Sequence, residues 1–248
     1  MIKLSVNVNK VATIRNSRGG SAPSVLDAAG VAVEAGAHGI TVHPRADARH
    51  ITVRDVEALA DALAPMRGRV EFNIEGDPRP DLLDLVRRVR PDQCTLVPVV
   101  PGEVTSQAGW PSTTPRDEFR AVVDDLKAHG VRVSLFVDAE VSAIDWAAQM
   151  GGDRVELYTE PFARAFAHGE AAATASFHQF AEAARRADDR GLGVNAGHDL
   201  DLANLTLFRT LPHLAEVSIG HAIISRALFV GLARTVREYL AVLHGDQV

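Results

Sequence analysis

Short apolar runs rich in Val and Ile recur along the chain, and five of them end abruptly in a histidine or a glutamate. Such runs predict β-strands, because branched side chains fit a pleated, buried surface. A terminal His or Glu is costly to bury unless it meets water, a partner or a substrate. The five terminal residues are His43, Glu71, Glu156, His198 and His221. Their recurrence predicts a parallel sheet that delivers acid–base groups to one common face.

Strand patterns alternate along the chain with amphipathic, alanine-rich helix patterns. The predicted strands are residues 4–9, 39–43, 70–74, 93–97, 132–138, 154–158, 193–196 and 216–220. The predicted helices are residues 24–35, 53–63, 80–89, 117–129, 141–150, 171–189, 202–210 and 225–243. Repeated βα units imply a parallel sheet with right-handed crossovers and helices on its outer face. We therefore predict an α/β fold: a single (β/α)8 TIM barrel over residues 1–248, with its active site at the C-terminal ends of the strands.

A doubly wound open sheet is the competing architecture for alternating strands and helices. Such sheets bind dinucleotides through a Gly-x-Gly-x-x-Gly turn after the first strand. This turn is missing from the sequence, so the barrel is preferred. Residues 98–115, rich in Pro, Gly, Ser and Thr, follow the fourth predicted strand and predict a long loop at the catalytic end.

The composition is that of an ordinary soluble globular protein, with 46% hydrophobic and 23% charged residues. The single cysteine, Cys94, excludes an internal disulfide framework. The first six residues enter a strand pattern without a signal-peptide core, and no apolar stretch approaches the roughly 20 residues that span a bilayer. A net charge of −6 gives no reason to expect a nucleic-acid or membrane partner. These features predict a cytoplasmic protein.

The five strand-ending residues are expected to ring one cavity that performs proton transfers. Histidine exchanges protons near neutral pH, and partial desolvation raises the pKa of a glutamate toward that range. Such a set suits imine formation, enolisation and dehydration. Zinc binding is the main alternative for converging histidines and carboxylates. Many barrel metallohydrolases carry a His-x-His pair on the first strand, but this chain has Asn7-Val8-Asn9 there, and we predict no metal.

Glycine-containing strand ends predict phosphate binding at the same face. Gly220 and His221 follow the last predicted strand, where barrels commonly hold phosphate beside a helix N-terminus. The neighbouring strand ends near a second glycine, Gly197. Arg18 and Arg45 lie on loops of the catalytic face and can add bidentate donors to an anion.

Longer segments of the chain carry a resemblance to a known family. They are residues 6–8 (VNV), 12–19 (ATIRNSRG), 39–45 (GITVHPR), 49–51 (RHI), 133–138 (VSLFVD), 194–198 (VNAGH) and 219–227 (IGHAIISRA). Together they resemble the pyridoxine 5′-phosphate synthase family over nearly the whole chain. The resemblance implies a ring-closing condensation of 3-amino-2-oxopropyl phosphate with 1-deoxy-D-xylulose 5-phosphate, giving pyridoxine 5′-phosphate, phosphate and water. It also implies a homo-octamer that uses no cofactor and no metal.

The resemblance assigns roles to residues of this chain. The proton-transfer set comprises the acceptors His43 and Glu71, the donor His198 and the transition-state stabiliser Glu156. The groups that hold the aminoketone phosphate are Asn7, Arg18, the backbone at Asp199, Gly220 and His221. The groups that hold the deoxyxylulose phosphate are Arg45, His50 and Thr105.

The chain departs from the family pattern at residues 9–10 and 199, and the loop at residues 97–103 lacks the basic residues often seen there. Asn9-Lys10 replaces a common Asp-His pair, and Asp199 replaces a common glycine. Lys10 keeps a related barrel lyase or aldolase open as an alternative, because a lysine amine can form a Schiff base with another phosphorylated ketone. A non-catalytic barrel that binds a phosphorylated metabolite is the second alternative.

Overall fold

Eight parallel strands close into a barrel in which each strand pairs with the next along the chain, and the eighth pairs with the first. The computed structural model describes residues 1–100 and 106–246. The strands are β1 (Lys3–Asn7), β2 (Gly39–Val42), β3 (Glu71–Gly76), β4 (Gln93–Leu96), β5 (Arg132–Val137), β6 (Arg154–Tyr158), β7 (Gly193–Gly197) and β8 (Leu214–Ile219). The predicted (β/α)8 barrel is confirmed.

Helices surround the barrel and connect its strands. They are α1 (Asn9–Asn16), α2 (Val25–Glu34), α3 (Val53–Leu63), α4 (Pro80–Val89), α5 (Arg116–Ala128), α6 (Val141–Gln149), α7 (Glu160–Ala167), α8 (Glu170–Asp189), α9 (Leu205–Phe208), α10 (His221–Val230) and α11 (Leu232–His244). Within the described residues, no helix is long and apolar enough to cross a membrane.

The helix predictions fail mainly for short helices. The sequence pattern did not predict α1 or α7, which have only eight residues each. In α1 only Val11 and Ala12 are buried, so the sequence shows no apolar stripe wide enough to predict a helix there. The single predicted helix over residues 225–243 is two helices, because a one-residue break at Gly231 separates two apolar patterns that otherwise run together.

The barrel interior is polar rather than filled with branched apolar side chains. Apolar residues alternate with polar ones along the strands, so the apolar set packs outward against the helices. Inside, the hydroxyls of Ser5 and Thr41 hydrogen-bond at 2.7 Å, and Asn73 Nδ2 donates to Thr41 Oγ1 at 3.3 Å. Thr95 Oγ1 donates to Asn73 Oδ1 at 3.1 Å. This chain of bonds crosses the inner face of β1 to β4 and satisfies side chains that burial would otherwise penalise.

The amino end of the barrel holds a cluster of charged side chains that includes Glu71. This residue begins β3, and its carboxylate contacts the guanidinium of Arg132 and lies 3.9 Å from Arg154 Nη1. Arg132 Nε donates to Gln93 Oε1 at 3.1 Å. The prediction that Glu71 faces the active site is therefore wrong. Because β3 continues to Gly76, Glu71 stands at the opposite end of the barrel.

Candidate active site

A cavity of about 380 Å³ opens at the carboxyl ends of the strands. Most of the predicted site residues line it: Asn7, His43, Arg45, His50, Glu156, His198, Asp199, Gly220 and His221. It also contains Lys10, which the sequence analysis kept as a possible Schiff-base lysine, and residues that it did not assign to a site: Asn9, Thr13, Arg49, Glu75, Ser106 and Ser218. The barrel therefore brings acid–base groups, amides and cations into one place.

Three predicted site residues are not found in this cavity. Glu71 belongs to the amino-end cluster. Arg18 lies in an exposed turn after α1 and is not among the described residues that line the cavity. Thr105 lies outside the described residues, so its predicted role stays a prediction.

Glu75 takes the position that the sequence interpretation gave to Glu71. It lies near the carboxyl end of β3 and is 5% exposed. Its Oε2 is 4.0 Å from His43 Nδ1 and accepts a hydrogen bond from Asn7 Nδ2 at 3.4 Å. Residues 71 and 75 share one face of a strand because side chains alternate. The predicted strand ended at residue 74, one position too early to include Glu75.

His43 is held by the start of α1, which is itself bonded to the end of β1. Asn9 Oδ1 accepts a hydrogen bond from the His43 backbone N–H at 2.9 Å, and Asn7 Oδ1 accepts one from the Asn9 backbone N–H at 3.0 Å. The His43 ring contacts the His50 ring edge-on, with centroids 6.2 Å apart. His43 Nε2 makes no hydrogen bond to the described residues.

Burial makes both members of the His43–Glu75 pair favour their neutral forms. Desolvation, with the nearby His50 and Arg45, holds the pKa of His43 well below its usual range. Desolvation, with the Glu216 carboxyl, raises the pKa of Glu75 to about 8. The 4.0 Å separation alone would suggest an ion pair, but neither charge is favoured in this dry position. At neutral pH a neutral imidazole therefore faces a protonated carboxyl.

Glu156 projects from the middle of β6 and is almost fully buried, at 2% exposure. Desolvation raises its pKa well above the usual range, and the Glu75 carboxyl adds to this. A Cβ atom on Gly197 would lie 2.8 Å from Glu156 Oε1 and 2.5 Å from the Ser218 carbonyl oxygen. The strand β7 therefore needs glycine here so that the Glu156 carboxyl can reach the cavity.

His198 directly follows β7 in a left-handed backbone conformation, with φ of +82°. This conformation is uncommon for a residue with a side chain and often marks a functional site. The ring packs against Phe136 and Tyr158, with centroid distances of 5.6 and 6.3 Å. Desolvation lowers the pKa of His198; the Asp199 carboxylate opposes the shift and Lys10 adds to it.

Groups that can attract an anion line the same cavity. Gly220 is the N-cap of α10, whose N-terminus carries partial positive charge. Lys10, Arg45 and Arg49 also line the cavity and supply cations to it. The backbone N–H of Asp199, predicted to hold phosphate, donates to Thr159 Oγ1 at 3.3 Å. Among the described residues, no group of three or more His, Cys, Asp or Glu side chains is placed to hold a metal ion.

Solved barrels of similar shape show the fold alone, because their sequences have diverged. Thiamine phosphate pyrophosphorylase from Pyrococcus furiosus superposes with a TM-score of 0.64 and 12% identity, covering 98% of this chain and 96% of its own. Phosphoribosyl anthranilate isomerase from Thermotoga maritima superposes with a TM-score of 0.61 and 12% identity, covering 99% of this chain and 100% of its own.

Some curated proteins are far more similar to this chain in sequence than these solved barrels are. The pyridoxine 5′-phosphate synthase of Bacteroides fragilis is 52% identical over 240 residues, which cover 96% of this chain and 98% of that protein. The enzyme of the same name from Xanthomonas oryzae pv. oryzae is 52% identical over 255 residues, covering 100% of this chain and 98% of that protein. The family described as pyridoxal phosphate biosynthesis protein PdxJ matches residues 4–245. The chain belongs to the PdxJ family of pyridoxal phosphate biosynthesis proteins.

Proposed function

We propose that this protein is a pyridoxine 5′-phosphate synthase. It condenses 3-amino-2-oxopropyl phosphate with 1-deoxy-D-xylulose 5-phosphate and releases pyridoxine 5′-phosphate, phosphate and water. The observation that carries the proposal is the cavity itself, which is lined both by buried acid–base groups and by groups that can bind anions. Relatives named for this activity, at about half identity over the whole chain, support it.

Two phosphorylated substrates need two anion sites. The N-terminus of α10, with Gly220 and His221, is proposed to hold the aminoketone phosphate, because backbone N–H groups and the helix dipole favour an anion there. Arg45 and His50, with Lys10 nearby, are proposed to hold the deoxyxylulose phosphate. Lys10 adds a fixed cation at a position where the resemblance to the family leads us to expect a histidine. The remaining predicted contacts, from Asn7, Arg18, Asp199 and Thr105, belong to the same proposal.

The protonation states of the free site suit the first condensation. Neutral His43 can accept the proton that the attacking amine loses, and protonated Glu75 can donate one to the hydroxyl that leaves as water. The Glu75 carboxylate formed in this way can then remove a proton during enolisation. Glu156 is proposed to ionise and stabilise the cationic imine, because a nearby positive charge lowers the pKa of a carboxyl.

His198 is proposed to become a proton donor only when substrate is bound. Its pKa is lowered in the free site, so the imidazole is neutral there. A phosphate dianion brought beside it favours the charged imidazolium and raises the pKa. Substrate binding thus prepares the donor at the moment when leaving groups require a proton.

The test is incubation of the purified protein with both substrates. We expect pyridoxine 5′-phosphate and inorganic phosphate to form in equal amounts, and neither to form when one substrate is omitted. Binding of both substrates without product would instead indicate a non-catalytic barrel. A borohydride-trapped adduct on Lys10 would indicate the lyase or aldolase alternative.

We further propose that the protein is a cytoplasmic homo-octamer that uses small phosphorylated molecules as its partners, and no cofactor. The end of α10 supports an assembly, because Phe229 is 88% exposed and Leu228 is 69% exposed. Large apolar side chains that are exposed next to each other can mark a contact surface with another molecule. Sedimentation velocity is expected to give the mass of eight chains of 26.6 kDa, and Phe229→Asp to give smaller species. A monomeric wild-type protein would contradict the proposal.

A further inference from the structure

The segment that leaves β2 carries two groups of the site, and Pro44 separates them. His43 is a proposed proton-transfer residue and Arg45 a proposed anion ligand. The His43 N–H is held by Asn9 Oδ1 at 2.9 Å, and the Arg45 carbonyl accepts from the Ala48 N–H at 2.9 Å. Proline has no N–H, so only the carbonyl of Pro44 remains to fix the middle of the segment.

Arg79 makes that contact from the neighbouring loop. It is the N-cap residue of α4, and its Nη2 donates to the Pro44 carbonyl oxygen. Its Nη1 donates to Asp77 Oδ1 at 2.6 Å, and its Nε lies 3.0 Å from Asp81 Oδ1. The Arg79 side chain is 16% exposed and its guanidinium is rigidly planar, so three contacts leave it one orientation. Arg79 is not among the described residues that line the cavity.

The strand that leads into the Arg79 loop also carries Glu75. The contact to Pro44 therefore ties together the two strand ends whose side chains, His43 and Glu75, lie 4.0 Å apart. Hydrogen bonds made by a charged group are stronger than neutral ones, so this tie can resist displacement of the loop. A displacement of about 1 Å in a catalytic group can cost on the order of 100-fold in rate.

We propose that Arg79 is a positioning residue of the active site, which fixes the segment from His43 to Arg45 against the end of β3. The inference rests on the proposed synthase function for its kinetic consequences. Arg79 acts through His43 and Arg45 and does not touch the substrates. Its contribution depends on its contacts with Asp77 and the Pro44 carbonyl oxygen.

The experiment compares Arg79→Ala with Arg87→Ala. Arg87 lies on the same helix and is likewise held by two aspartates, Asp84 at 2.7 Å and Asp125 at 2.8 Å, but on the outer surface. We expect Arg79→Ala to lower kcat by about 10- to 100-fold and to raise KM for the deoxyxylulose phosphate by about tenfold. Arg87→Ala is expected to leave kcat and KM unchanged, although it loses as many ion pairs as Arg79→Ala.

Two further measurements separate positioning from a general loss of structure. Guanidinium at millimolar concentration is expected to restore part of the activity of Arg79→Ala. The pH profile is expected to change, because Arg79 is one of the groups facing His43, together with His50, Arg45, His198 and Glu75. Removing this positive charge lets the pKa of His43 rise, which moves the acidic limb of kcat/KM to higher pH.

The proposal would be overturned by wild-type kcat, KM and pH profile in Arg79→Ala, or by equal losses in the two variants. If the wild-type protein forms no product, the synthase proposal fails, but the positioning role is still testable. Calorimetric titration with 1-deoxy-D-xylulose 5-phosphate then compares the same variants. Weaker binding by Arg79→Ala than by Arg87→Ala supports the positioning role, and equal binding rejects it.

Discussion

Glu75→Gln is expected to lower kcat by about 10²- to 10⁴-fold while changing KM for either substrate little. The amide has the size of the carboxyl and can still accept the hydrogen bond from Asn7 Nδ2. It cannot donate a proton to the leaving hydroxyl or remove one afterwards. Because the side chain is buried beside His43, no described residue replaces it at that position. Steady-state kinetics with each substrate varied in turn measure both constants.

Glu71→Gln is the matched control on the same strand. Both variants replace a glutamate by its amide, and both residues face the barrel interior from β3. Glu71 contacts Arg132 at the amino end, so its replacement is expected to leave kcat near the wild-type value. Full activity in Glu75→Gln together with inactivity in Glu71→Gln would overturn the assignment made from the structure.

The pH dependence of wild-type kcat/KM tests the same role of Glu75. Burial raises the pKa of Glu75 to about 8, so its carboxyl carries a proton at lower pH and loses it above that value. If the protonated carboxyl is the first donor, kcat/KM is expected to fall as pH rises above about 8. The same limb should be absent from the residual activity of Glu75→Gln.

The mistaken assignment of Glu71 shows what a strand pattern determines and what it leaves open. The alternation of side chains places Glu71 and Glu75 on the same face of β3, and it correctly indicates that this face carries the acidic side chains. Only residues near the carboxyl end of a strand reach the active site, so the assignment depends on where the strand begins and ends. The predicted strand began at residue 70, so Glu71 already stood near its amino end, and ending the strand at residue 74 rather than at Gly76 left Glu75 outside it.

Features built from local patterns were predictable, whereas contacts between distant segments were not. The bounds of α3 and α4 match the predicted ranges, because amphipathic periodicity and end signals lie within each segment. The bond from Arg79 to Pro44 joins residues 35 positions apart and depends on the pairing of β2 with β3. No local signal in the sequence marks Arg79 as different from the surface arginines of α4.

The polar interior of the barrel predicts an unusual dependence of stability on pH. Glu216 on β8 is 1% exposed, and its Oε2 makes no hydrogen bond to the described residues. Desolvation, with Glu71 and Glu156, raises its pKa from 4.5 to about 8, although Arg154 and Arg132 oppose the shift. The folded protein therefore holds a proton that the unfolded chain has already lost between these pH values.

Glu216→Gln is expected to stabilise the protein at pH 8 by roughly 2–4 kcal/mol and to have little effect near pH 5. The folded pKa lies above the unfolded one, so the native state binds more protons and stability falls as pH rises from about 4.5 to about 8. The amide does not titrate and escapes this loss. Denaturant unfolding at several pH values, at constant ionic strength, measures the difference.

Glu238→Gln supplies a control of opposite sign. The guanidinium groups of Arg226 and Arg234 hold the pKa of Glu238 below its usual range. Its ionised form therefore stabilises the fold at neutral pH, and that contribution disappears as pH falls through the lowered pKa. Glu238→Gln should destabilise the protein at pH 8, where Glu216→Gln stabilises it. Loss of stability in both variants at pH 8 would mean that Glu216 is ionised and paired, contrary to the buried, protonated state described above.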